Sequence, residues 1–134
     1  MVYEKLLDIA DMNNVYVVEN ANFKSDTDGL INGDVIGLNK RMRTSRQRAC
    51  VLAEELGHYY TTIGDILDLS KAENRKQERR ARIWAYDRLI GLKKLAKTYA
   101  LGYENYYEVA EYLDVTEDFL RDAVQYYKER YGLD

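Results

Sequence analysis

The run Val51-Leu52-Ala53-Glu54-Glu55-Leu56-Gly57-His58-Tyr59-Tyr60 holds the only histidine among 134 residues, and its reading decides the fold. Glu54 and His58 stand four positions apart, so on a helix they share a face, one turn from each other. Glu55 follows about 100° further round the axis, where a second carboxylate reaches water held at that face. The spacing is that of H-E-x-x-H, a helical metal-binding pattern, with Glu54 standing where the pattern has its first histidine. Ordinary acidic residues beside a satisfied histidine have the same spacing. Here, however, Val51, Leu52, Ala53 and Leu56 surround them, which places the acids near a core. Unpaired charge is costly there, and a bound cation relieves that cost.

Working outward, Thr44-Ser45-Arg46-Gln47 reads as a capping box, with Thr44 as N-cap and Gln47 at the third helical position. It opens a helix that runs through the motif to about Thr61. Ile63 to Leu69 reads as a connection, and Ser70-Lys71-Ala72-Glu73 as a second capping box. The long helix behind it carries Gln77, Glu78, Ala81, Trp84, Ala85 and Leu89. A hydrolytic metal needs about three protein ligands and an open position for water. Glu54 and His58 supply two, and Glu78 is the candidate for the third. Ala81 and Ala85 lie three and seven residues beyond Glu78, roughly on its face. With Gly57 opposite, these small side chains allow two helices to approach closely and carry Glu78 to His58.

The absence of proline favours a mainly helical chain. Residues 2–12 have Leu6, Leu7 and Ala10 at helical spacing, and Val15-Tyr16-Val17-Val18 is a β-type run. Asn32-Gly33-Asp34 between Gly29-Leu30-Ile31 and Val35-Ile36-Gly37-Leu38 is a hairpin signal. Gly91 and Gly102 punctuate the later chain, and Tyr106–Leu113 with Thr116–Tyr131 form a final helix pair. The expected fold is therefore α+β and mainly helical, in one domain over 1–134. Residues 1–40 form a helix and a small three-stranded sheet, 45–90 the site helices, and 91–134 the C-terminal helices.

Net charge is −3, but charge is segregated: residues 40–48 carry five basic groups and no acid, whereas 103–134 carry nine acids against three bases. That asymmetry means internal pairing or a surface facing a partner. No stretch approaches the ~20 apolar residues of a membrane helix, and Met1–Asp8 lacks the apolar segment of a secretion signal. A single cysteine, Cys50, fits a reducing cytoplasm and reads as a small buried residue.

Three blocks together resemble the ImmA/IrrE-type metallopeptidases, small gluzincin-like proteins common in phages and mobile elements. They are the hairpin and basic stretch Gly29–Arg48, the run Leu52–Thr61, similar to the family's L-x-H-E-L-G-H block, and Glu78–Tyr86, similar to its E-x-x-A-x-x-F-A helix. The tail from Val109 to Thr116 resembles the C-terminal helices of phage members. The resemblance implies a small sheet on a zincin-like helix bundle, with Zn2+ between the motif helix and the Glu78 helix. It implies Glu54, His58 and Glu78 as metal ligands and Glu55 as general base. It also implies a metallo-endopeptidase that cuts or inactivates a helix-turn-helix transcriptional repressor in control of lysogeny. Glu54 departs from the family's histidine. Two carboxylates and one imidazole make a harder, oxygen-rich site, which opens the way to Mn2+ or to a relative that binds repressor without cutting it.

A reading from a different class rests on Tyr107–Leu120, which resembles a helix-turn-helix unit packed through Ala110, Leu113, Val115 and Leu120. DNA binding needs cations against phosphate. The second helix instead begins Glu117-Asp118 and adds Asp122, with Arg121 as the opposing base. The tail therefore argues against direct DNA binding and suits a structural pair, or a surface for a basic repressor.

Overall fold

The computed structural model describes residues 1–61 and 71–132. Helix α1 (Val2–Met12) leads into strands β1 (Tyr16–Ala21), β2 (Gly29–Asn32) and β3 (Val35–Asn39). Helices α2 (Ser45–Thr61), α3 (Lys71–Leu89), α4 (Leu92–Ala100), α5 (Tyr106–Leu113) and α6 (Glu117–Tyr131) follow. The architecture is a mainly helical α+β fold with an N-terminal three-stranded sheet. The connection expected over 63–69, Ser70 and the side chain of Glu73 at the start of α3 lie outside what is described, and so does the cap expected there.

Tyr3, Leu6 and Ala10 form the buried stripe of α1, with Leu7 at its margin. The helix stops where Asn14 takes a left-handed φ of 58° and the Val15 N–H returns to the Ala10 carbonyl. In the β2–β3 hairpin Asn32 pairs with Val35, and Gly33 turns the chain at φ 62°. The sheet order is β1-β3-β2, with β1 parallel to β3. Val17, Ile36 and Ile31 meet across the three strands, and Ile36 is fully buried.

The segment between β1 and β2 is held by β3 and the turn after it. The Asn39 side chain donates to the Thr27 carbonyl at 2.8 Å, while the Arg41 guanidinium engages Asp28 at 2.9 Å and the Asp26 carboxylate and carbonyl. Arg46 pairs with Asp114 at 3.1 Å, and Arg48 donates to the carbonyls of Glu19 and Met42. Much of the basic stretch is thus occupied inside the fold.

Helix α2 begins as its sequence dictates: Thr44 Oγ1 accepts from the Gln47 N–H at 3.1 Å, and Gln47 Oε1 accepts from the Thr44 N–H at 3.3 Å. Ala49, Cys50, Leu52, Ala53, Leu56 and Gly57 are all buried. They occupy more than one face, because α2 packs against α1, the sheet and α3 together. At the far end, Thr116 caps α6 by accepting from the Phe119 N–H at 3.2 Å. Val109, Leu113, Val115 and Leu120 close the α5–α6 pair onto the common core.

Candidate metal centre

Helix α2 presents Glu54, Glu55 and His58 at its junction with α3 and β2. The junction is tight because of two small residues. A Cβ added to Gly57 would run into the Ala81 carbonyl oxygen and stand 3.0 Å from the Ala81 carbonyl carbon and Cα. Backbone meets backbone there, and Ala81 itself is fully buried. His58 follows Gly57 by one residue and Glu78 precedes Ala81 by one turn, so the same approach joins their side chains. His58 Nε2 lies 3.2 Å from Glu78 Oε1, with the imidazole 17% and the carboxylate 53% exposed. Glu78 therefore has room on its open side for a further partner.

Glu55 sits on the sheet side of α2. The position a Cβ on Gly29 would take is 3.1 Å from Glu55 Cγ and 3.3 Å from Glu55 Oε1, so the missing side chain of Gly29 makes room for the carboxylate. Burial, reinforced by the charges of Glu78 and Glu54, pushes the Glu55 carboxyl up to about 7. Burial also raises Glu54. Arg82 pulls it back, while Glu78 and Asp122 push it further up. Glu78 and Glu54 disfavour ionisation of Glu55, and Glu78 that of Glu54, a concentration of negative charge that suits a divalent cation electrostatically. The donor set of two carboxylates and an imidazole fits zinc or manganese chemically. Among the described residues, no group of three or more His, Cys, Asp or Glu side chains is arranged to hold a metal ion. What the fold brings together is the His58–Glu78 pair, with Glu54 and Glu55 within electrostatic reach.

Of the tyrosines beside the motif, Tyr60 stacks on Trp84 at 5.1 Å and takes the edge of Tyr59 at 5.2 Å. Tyr86 is buried against Phe119 at 5.3 Å, and burial raises its phenol to about 12. Cys50 is buried with its thiol pushed up to about 11, accepting from Thr116 Oγ1 at 3.8 Å. That is a packing role. Sequence reasoning did not find Arg82 or Asp122 beside Glu54, nor Gly29 over Glu55. Arg82 had a local signal, one turn beyond Glu78 on the same face. Nothing local points from Asp122 or Gly29 to the motif.

None of the described helices is long and apolar enough to cross a membrane. The family profile described as the IrrE N-terminal-like domain, a peptidase family, matches residues 9–124. No curated protein and no solved structure gives a match.

Proposed function

Because the chain belongs to the IrrE N-terminal-like peptidase family, we propose that it is a metallo-endopeptidase acting on a helix-turn-helix repressor. In this reading Glu55 is the general base, and Glu54, His58 and Glu78 hold a divalent ion, zinc or manganese. The observation that carries it is the His58–Glu78 contact at 3.2 Å, with His58 on the same helix as a half-buried Glu55 whose carboxyl is raised to about 7. A base poised near neutral pH is what proton transfer in amide hydrolysis requires. A bound ion supplies Lewis acidity to the carbonyl and the attacking water. Glu55 takes the proton from that water and returns it to the leaving amine. Gly29 keeps the space beside Glu55 free of a side chain, and Gly57 holds α3 close enough for Glu78 to orient His58.

Substrate backbone has a natural resting place. Strand β2 is at the sheet edge, bonded to β3 on one side and unpaired on the other among the described residues. An extended peptide added to that edge runs past Gly29 and so past Glu55. Repressor as substrate comes from the family resemblance, and the acidic C-terminal surface is compatible with a basic partner.

A second reading, a non-cutting relative that inactivates repressor by binding, is favoured by the Arg82 charge beside Glu54. That charge already compensates part of what a cation would. Co-expression with a helix-turn-helix repressor that it inactivates separates the two. Hydrolysis predicts loss of intact repressor that Glu55→Gln prevents, since glutamine keeps the shape but cannot accept the proton. If Glu55→Gln inactivates the repressor as well as wild type does, binding is the mechanism.

A further inference from the structure

Two adjoining clefts among the described residues share three lining residues and reach as far as Val51, one turn before Glu55 on α2. One, of about 450 Å³, lies between α5 and the start of α2 and includes Tyr107 and Glu111. The other, of about 600 Å³, lies between the entry to β2 and the start of α6 and includes Asp28, Val51 and Asp118. Gln47, Thr116 and Glu117 line both, so the two adjoin. Val51 lines the second, and the position of a Gly29 Cβ lies 2.6 Å from Val51 Cγ1 and 3.1 Å from Glu55 Cγ, which puts this cleft beside the edge strand and the carboxylate assigned as base.

The groove has a sign. Arg41 and Arg46 line it, but Arg41 is held by Asp26 and Asp28 and Arg46 by Asp114. Glu117 pairs with exposed Arg121, whereas no ion pair among the described residues holds Glu111 or Asp118. Tyr107, 67% exposed, adds an aromatic face on which a guanidinium or a lysine stem can rest. We infer that this groove receives a cationic polypeptide segment, so that the substrate carries Lys or Arg on one side of its scissile bond. Nucleic acid is a poor occupant, because its phosphates would meet these acids. The inference rests on the hydrolase reading only for what the groove feeds; capture of the segment needs no chemistry.

The test uses the full chain and two fluorescein-labelled peptides of equal length, with lysine or glutamate at alternate positions, followed by anisotropy. The lysine peptide should bind at least tenfold more tightly than its glutamate counterpart. Glu111→Lys/Asp118→Lys should lose that binding at least tenfold. Asp8→Lys/Glu129→Lys, the same charge change on exposed residues outside the groove, should lose less than twofold. Equal losses in the two double variants, or no preference for lysine, would overturn the groove. The two proposals fail separately. Lysine-peptide capture by a protein that never cuts repressor removes the hydrolase and leaves the groove. Repressor cut at the wild-type rate by Glu111→Lys/Asp118→Lys removes the groove and leaves the hydrolase.

Discussion

Gly57→Ala tests the junction on which the site depends, and two physical effects oppose each other there. In an isolated helix the change is favourable by about 1 kcal/mol, because alanine loses less backbone freedom than glycine. In this fold the new methyl lands on the Ala81 carbonyl, with the Ala81 carbonyl carbon and Cα at 3.0 Å. None of these is the far end of a flexible side chain, so relief requires α2 and α3 to move apart. Overpacking of this kind costs about 1–3 kcal/mol, and a backbone obstacle puts it at the upper end, near 3. The net expectation is destabilisation by about 2 kcal/mol. Urea unfolding of wild type and variant in the presence of chelator measures it, and the fitted slope checks that both unfold alike. The separation should also pull Glu78 away from His58, so zinc affinity should fall together with stability. A Gly57→Ala protein as stable as wild type, or more so, would mean that the helices do not meet at Ala81 and that the site lacks its scaffold.

The remaining expectations concern the acids and the cap. The Glu55 carboxyl is raised from 4.5 to about 7 in the folded chain, so the folded state binds its proton more tightly between those values. That stability is present in full below about pH 4.5 and is lost as pH rises through 7. Glu55→Gln should therefore gain about 3 kcal/mol over metal-free wild type at pH 8 and nothing near pH 4.5; a gain independent of pH would contradict burial of the charge. Glu54→Ala should weaken zinc or manganese binding at least tenfold, ~1.4 kcal/mol, while Glu54→His keeps or strengthens it. Calorimetric titration decides, and equal affinities for wild type and Glu54→Ala would remove Glu54 from the ligand set. If metal binds only the folded chain, stripping it should lower the melting temperature. Thr44→Ala removes the acceptor for the Gln47 N–H and should cost about 1 kcal/mol in thermal or urea unfolding, with the His58–Glu78 contact unaffected.

Elements whose signals act through a few bonds of chain were legible without the fold. Thr44 and Gln47 cap α2, Gly33 turns the β2–β3 hairpin and Thr116 opens α6, because each rests on hydrogen bonds or φ values within one turn. The Gly57–Ala81 approach was legible for a related reason: small residues at helical spacing on two helices leave few other ways to pack. The order β1-β3-β2 was not, because the chain leaving β1 must skip the central place that β3 later fills and go on to β2 at the far edge, and no local pattern encodes that crossing. The chemistry of Glu55 was hidden more deeply. Its residue type and its place on α2 came from the sequence. Its affinity for a proton is set by burial and by the charge of Glu78 on another helix, with Gly29 of β2 packed beside it. Dielectric and field at a carboxylate depend on everything within a few ångströms, whatever its distance along the chain, and only tertiary packing decides what those neighbours are.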